Sequence, residues 1–498
     1  MGLLQCNGAL RDGCANGAEC GIWSGYLVTC DVGVAAKRAS KWRGFLLAAL
    51  SAAGLAFAVT VPAQQTVPQT DPNALPGLGA QLHTGHANGI DAATRLRGLL
   101  ADHEYFRIAD ELDQLPPEQA QFYRGVLANR DNDAKKSIEL LEPLVDKVTA
   151  SGDKEQEKLL RRTLAEDYLR EGELLKAAKA YEVLSGRFWG KLSDAEQDDM
   201  ELPLRLLPLA VDNPVMTVEP CEPFAMQVSK NPLGLTDVPV FVDAHPHRWM
   251  LDPTAPFNLI ARSVAREVGL KVSDQSATIH TLTGKPMTVR ATLIPRITIG
   301  GRLTLRNLTA FVFEDKDYDF PQSGEQVQGV LGFPAVSALG SLTITSHATI
   351  EVHPGKDLDA EAKNAGGARF FLDGDQLIVA LGQAGSERMF AVDAGGQQSY
   401  LTSRYYSEHS KSFGGKPELF TVPGSEKLPP QPAYVAETIP LLAGGTRVEA
   451  HFLEVLTAPL GRAAIDDVYG VLGVDWLDQL DSYTFDYRTM RFRVKNRE

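Results

Sequence analysis

Cysteine is scarce in this chain, and the few copies are poorly placed for a disulfide framework. Cys6, Cys14, Cys20 and Cys30 precede an apolar stretch near the N-terminus, and only Cys221 lies beyond it. Their spacing lacks the close pairs of a structural zinc site. Clustered cations are also missing, apart from one group just before the apolar stretch. With 49 Lys and Arg against 63 Asp and Glu, the formal net charge is −14. That balance excludes nucleic acid and anionic membrane as main partners, because phosphate binding needs clustered Lys and Arg. No P-loop, no glycine-rich dinucleotide fingerprint and no Gly-x-Ser-x-Gly turn is present. What remains is a globular composition, 44% hydrophobic and 22% charged over 498 residues. That length suffices for about two to four domains.

The N-terminal region reads as an export signal. Lys37, Arg38, Lys41 and Arg43 form a positive stretch, and Phe45 to Val61 follows as 17 residues without a charge. Val61-Pro62-Ala63 then offers small residues for a signal peptidase, with Gln64 next. Residues 1–63 are thus expected to be an extension and signal peptide, and the protein periplasmic or secreted. The true translation start would lie downstream of Met1. Cleavage would leave Cys221 alone, so no internal disulfide is expected. The alternative is an uncleaved inner-membrane anchor over 45–61, at the short end of what spans a bilayer. Residues 64–90 are rich in Pro, Gly, Gln and Thr and read as a linker.

Residues 91–210 read as helical. Leu96, Leu99, Leu100, His103 and Phe106 recur at helical spacing, and Pro116-Pro117-Glu118 is a helix start. Leu164 to Gly172 followed by Ala177, Ala178, Ala180 and Tyr181 resembles a tetratricopeptide hairpin, with small residues at crossings and a glycine at the turn. Such a domain either binds a protein partner or simply packs on its neighbour. From Val238 the pattern turns to short runs rich in Val, Ile, Phe and Thr: Val238–Asp243, Thr288–Ile299, Leu303–Phe313, Leu342–Val352 and Tyr483–Val494. This is an all-β pattern.

The β half contains a repeat. An apolar strand ends in Asp252 and another in Asp393; small-residue turns follow, then Asn258-Leu259-Ile260 and Ser399-Tyr400-Leu401. Gly329-Val330-Leu331-Gly332 recurs as Gly470-Val471-Leu472-Gly473. Asp252 to Gly332 and Asp393 to Gly473 are both 80 residues apart. Thr343 and Thr484 share an offset, Gly300-Gly301 matches Gly444-Gly445, and Gly284-Lys285-Pro286 recurs as Gly415-Lys416-Pro417. A β lobe therefore occurs twice, over 236–355 and 368–496.

This duplicated order resembles the aspartic peptidases of the retropepsin and pepsin type. In that family each lobe contributes an Asp-Thr-Gly loop, held by an apolar-apolar-Gly element. The resemblance covers about half the chain. It implies an α+β multidomain protein, with tetratricopeptide-like helices followed by a two-lobed, acid-protease-type β barrel. It also implies an endopeptidase that activates water between the carboxyls of Asp252 and Asp393. Thr254, Thr283, Gly284, Gly395 and Gly396 would contact the substrate, a peptide or protein, and neither cofactor nor metal is called for. The hairpin Thr278 to Thr292, with its tip at Thr283-Gly284-Lys285, is the candidate flap.

Both loops depart from the family pattern. The hydroxyl expected after each Asp is replaced by Pro253 and Ala394. Thr254 stands where the family has glycine, and a positive φ there would strain its branched Cβ. These changes keep a second reading open, a catalytically degenerate domain that binds peptides or acts as a scaffold. A third is an envelope protein tethered by Phe45 to Val61. His245-Pro246-His247 reads as exposed turn histidines, because no third metal ligand follows at a suitable spacing.

Overall fold

The structure is a computed structural model. It describes residues 91–498 except 233, 281–285, 321–323, 356–364, 375, 383–385, 397, 423–428, 462 and 498. The N-terminal extension, the apolar segment, the linker and the Thr283-Gly284 tip lie outside the described residues. No described helix is long and apolar enough to cross a membrane.

Helices come first: α1 (Ala92–Ala101), α2 (Tyr105–Glu111), α3 (Pro117–Arg130), α4 (Ala134–Leu141), α5 (Val145–Ser151), α6 (Lys154–Arg170), α7 (Leu174–Phe188) and α8 (Asp194–Leu206). Local chemistry sets their ends. Pro117 opens α3, the Asp153 carboxylate caps α6 through Gln156 N, and Gly172 reverses the chain at φ +72°. Successive helices pack as hairpins, α3 on α4 and α6 on α7. Ala177 and Tyr181 are buried between them. One expectation fails. The helical spacing from Leu96 to Phe106 is broken at His103, which takes a left-handed φ of +56° between α1 and α2. Its ring leaves the helical core and hydrogen-bonds Asp373 in the β half at 2.7 Å.

The β half begins with short strands ahead of residue 236, earlier than the repeat suggests. Its main strands in lobe 1 are β1 (Phe224–Gln227), β2 (Thr236–Val242), β3 (His245–Leu251), β4 (Asn258–Ala261), β5 (Ala277–His280), β6 (Pro286–Ile299), β7 (Leu303–Phe313), β8 (Gly329–Leu331), β9 (Ser341–Thr345) and β10 (Thr349–His353). Lobe 2 follows with β11 (Ala368–Asp373), β12 (Gln376–Leu381), β13 (Arg388–Val392), β14 (Tyr400–Leu401), β15 (Glu418–Phe420), β16 (Gln431–Ala443), β17 (Thr446–Leu456), β18 (Gly470–Leu472), β19 (Leu480–Asp486) and β20 (Arg491–Asn496). The runs Leu342–Val352 and Tyr483–Val494 are each two strands of a hairpin. Their polar interruptions, Ser346-His347 and Arg488-Thr489, take the turns.

The lobes share one topology. Lobe 1 orders its strands β7-β4-β8-β3-β2, and lobe 2 orders them β17-β14-β18-β13-β12. In each, the strand ending in Asp runs parallel to the short Gly-Val-Leu strand, which pairs antiparallel on its other side. In lobe 1, β6 pairs with both β2 and β7 and closes a barrel. The glycine pairs Gly300-Gly301 and Gly444-Gly445 occupy equivalent turns between the long strands, all at positive φ. The two Gly-Lys-Pro triplets are not equivalent. Gly284 follows β5, whereas Gly415 precedes β15, its counterpart.

The lobes join through a continuous sheet, β11-β20-β19-β9-β10-β1. Across its centre β9 pairs antiparallel with β19, and the register is symmetric: Ser341↔Asp486, Thr343↔Thr484, Thr345↔Ser482. Thr343 and Thr484 are equivalent residues of the two lobes, each following its supporting glycine by 11 positions. Their hydroxyls meet at 2.8 Å. The internal twofold axis therefore passes between them. Trp249 and Trp476 are fully buried in the core, and truncating either to Ala should cost about 3–5 kcal/mol.

Candidate active site

Each aspartate is held by the same frame. Asp252 N donates to Leu331 O at 3.0 Å, and Asp393 N to Leu472 O at 2.9 Å. Three residues on, Ala255 O accepts from Phe333 N, and Gly396 O accepts from Val474 N, both at 2.8 Å. Six residues on, Asn258 Oδ1 accepts from Gly332 N at 3.0 Å, and Ser399 Oγ from Gly473 N at 2.8 Å. The Ser399 hydroxyl in turn donates to Asp475. The supporting glycines are dictated by this crossing. A Cβ on Gly332 would lie 2.4 Å from Phe257 O, and one on Gly473 would lie 2.8 Å from Gly396 O.

The carboxylates are held by different donors. Thr254 gives both its N–H, at 2.9 Å, and its hydroxyl, at 2.7 Å, to Asp252 Oδ1. In lobe 2, Gly395 N at 3.0 Å and Gly396 N at 2.8 Å donate to Asp393 Oδ1. Asp252 is wholly buried and Asp393 partly exposed. Burial, then the charge of Asp252, pushes the Asp393 carboxyl up to about 7, against the pull of the Gly395 and Gly396 N–H groups. The Asp252 charge also adds to the burial that raises the Tyr318 and Tyr487 phenols. The charge of Asp252 thus reaches Asp393 across the lobe boundary. Chemically, such a pair can hold one proton between two carboxyls.

Several sequence expectations are altered by this geometry. Thr254 carries no backbone strain, because the turn does not place it at positive φ. Its hydroxyl faces Asp252, so Thr254, Gly395 and Gly396 are seen holding the carboxylates. Thr283 and Gly284 lie outside the described residues. The strands flanking them, β5 and β6, do pair, from Ala277↔Val289 to His280↔Pro286, and β15 with β16 is the corresponding hairpin in lobe 2. His247 is not an exposed turn residue. It sits inside β3, is buried, and lies 3.3 Å by Nδ1 from Gln328 Oε1. Among the described residues no group of three or more His, Cys, Asp or Glu is placed to share a metal ion. Burial pushes the Cys221 thiol up, away from the thiolate form.

Asn258 and Ser399 were visible in the repeat, but their role as acceptors was not. The matching distance of six residues from each Asp was the available signal. Tyr318 and Tyr487 carried no such signal, because their nearness to Asp252 arises only from folding.

Residues 238–335 match the family model described as aspartyl protease, less than half of the chain. The match falls within the first lobe, which is similar to that family over these residues. Lobe 2 lies beyond the matched residues and resembles this aspartyl-protease lobe through the shared topology and Asp frame. The chain is also similar to a solved structure, the crystal structure of a retropepsin-like aspartic protease from Rickettsia conorii. The two are 16% identical; 28% of this chain and 95% of that chain are covered, at a TM-score of 0.21. None of the curated proteins matches.

Proposed function

We propose that the protein is an exported aspartic endopeptidase whose working pair is Asp252 and Asp393. One observation carries the reading. Asp252 and Asp393 stand in twofold-equivalent backbone frames, and burial followed by the charge of Asp252 pushes the Asp393 carboxyl up to about 7. In this reading the pair binds one proton near neutral pH. The ionised carboxylate accepts a proton from water as the water oxygen attacks the scissile carbonyl carbon. The protonated carboxyl gives its proton to the carbonyl oxygen, forming a tetrahedral diol. A proton then passes to the amide nitrogen, the C–N bond breaks, and the diol collapses to an acid and an amine. The substrate is a peptide or protein, as the family implies. Export rests on the layout of residues 37–63, and finding Gln64 as the N-terminus of the secreted chain would test it.

The test is cleavage of a peptide library between about pH 4 and pH 8 by wild type, Asp252→Asn and Asp393→Asn. Cleavage that survives either substitution refutes the mechanism. One observation favours the second reading, peptide binding without turnover: Asp252 has no exposure. Peptide binding unaffected by both substitutions, with no cleavage by wild type, would establish that reading instead.

A further inference from the structure

The helical domain docks asymmetrically on a twofold-symmetric pair of lobes. On lobe 2 it grips the turn between β11 and β12. His103 Nδ1 lies 2.7 Å from Asp373 Oδ2, and Arg130 Nη2 lies 3.0 Å from Asp373 Oδ1. Arg170 Nη2 donates to Gly374 O at 3.0 Å, and Tyr105 packs edge-on against Phe371 at 4.8 Å. His103 Nε2 also reaches Asp467, in the segment leading to β18, at 3.7 Å. On lobe 1, Arg170 lies over the ring of Phe333, the residue after Gly332, at 6.0 Å. Helix α8 packs against β5, the first strand of the candidate flap hairpin.

These contacts span the seam between the lobes from the loop support to the hairpin. The gripped turn also abuts the catalytic end of lobe 2, because Leu377 of β12 pairs with Val392, the residue before Asp393. The twofold mates of these contacts lie on the other side of the axis. The strand register puts Asn231, bonded to Leu235, opposite Asp373, which pairs with Gln376, and the 141-residue offset between the aspartates puts Gln326 opposite Asp467. Neither mate, Asn231 or Gln326, is itself acidic. In the aspartic-peptidase reading an extended peptide lies across the axis, so one of its ends points toward the helix-facing side.

We infer that the helical domain walls off one end of the cleft and sets how few substrate residues can lie on that side of the scissile bond. The substrate class is then an extended peptide with a free end close to the cut. The opposite side has no such limit. This rests on the aspartic-peptidase reading and deepens it.

The experiment uses the full chain and one peptide core, extended at either end in steps of about four residues, roughly 13 Å of extended chain each. Product masses locate the cuts. Extension at one end should lower kcat/KM by about tenfold or more, and extension at the other should leave it within about twofold. Cuts should keep a constant distance from the restricted end. His103→Ala and Asp467→Asn, which loosen the dock through the His103 contacts, should relax that count and leave cleavage of the shortest peptide unchanged. Equal tolerance at both ends, or an unchanged count in both variants, overturns the inference. The same series is bound to the Asp393→Asn chain and followed by fluorescence anisotropy. If wild type cuts nothing, the peptidase reading fails alone, and one-ended weakening of binding still supports the wall. Binding that ignores extension at either end, or no binding at all, overturns it.

Discussion

The two lobes share a frame and differ in its contents. Both hold the Asp backbone through a Gly-Val-Leu strand, and both place an acceptor six residues on to receive the glycine N–H. Within the loop, lobe 1 has Pro253, Thr254 and Ala255 where lobe 2 has Ala394, Gly395 and Gly396. Yet each carboxylate receives two hydrogen bonds on a single oxygen, one set from a hydroxyl and an amide, the other from two amides. The frame is thus specified by donors and acceptors at set positions, and several side chains can supply them. The lobes diverge in these loop contents and in exposure, Asp252 being buried and Asp393 partly exposed.

The largest effect should come from the aspartates themselves. Asp252→Asn and Asp393→Asn should each lower kcat/KM by about 10²–10⁴-fold, the usual worth of a positioned acid or base. Comparable losses would show two lobes sharing one reaction. A large loss at Asp393 with none at Asp252 would break the equivalence and leave lobe 1 as a scaffold.

The next test uses one position in both lobes. A Cβ on Gly396 would lie 2.5 Å from Asp393 Oδ2, whereas its equivalent in lobe 1, Ala255, already carries a Cβ. Gly396→Ala should displace the carboxylate and cost on the order of 100-fold in kcat, the penalty of about an ångström of misplacement. Ala255→Gly should change kcat little. Equal effects would mean that the two loops are as alike in tolerance as they are in frame.

A third comparison is read by pH. The folded pKa of Asp393 is raised to about 7, above its ordinary value, so the folded protein binds that proton more tightly than the unfolded chain does. The associated stability is fully present below about pH 4 and is lost as pH rises through about 7. Asp393→Asn has no proton to lose. Its Tm relative to wild type should therefore rise steadily from pH 4 to pH 8. A gap that stays constant would remove burial and the Asp252 charge as the cause.

How much of this was legible in sequence follows from what each feature depends on. The two-lobed fold was legible because duplication leaves a linear trace: Asp252 to Gly332 repeats as Asp393 to Gly473, and Thr343 repeats as Thr484. The loop donors were misjudged. Expecting a positive φ at Thr254 came from the family's glycine, and only the folded turn shows its hydroxyl on Asp252. His103 kept a helical spacing to Leu99 and yet turned out of the helix, because its partner Asp373 lies 270 residues away. No local pattern reports a pair at that separation. The docking of helices on lobe 2 was invisible for the same reason.

The smallest expected effect tests the axis. Thr343 and Thr484 bond to each other across β9 and β19, so each is the other's partner by symmetry. Thr343→Val leaves the buried Thr484 hydroxyl without its partner, at a cost of about 1 kcal/mol. Thr484→Val does the reverse and should cost about the same. The double variant replaces both hydroxyls with methyls of similar shape, so it should cost no more than either single change, a coupling of about 1 kcal/mol. Chemical denaturation of the three variants reads this directly. Unequal single costs would show that the surroundings of the axis are not twofold, which the asymmetric helical domain gives reason to test. Additive costs would mean that the hydroxyls do not depend on one another, and the lobes would then be joined at this point by backbone pairing alone.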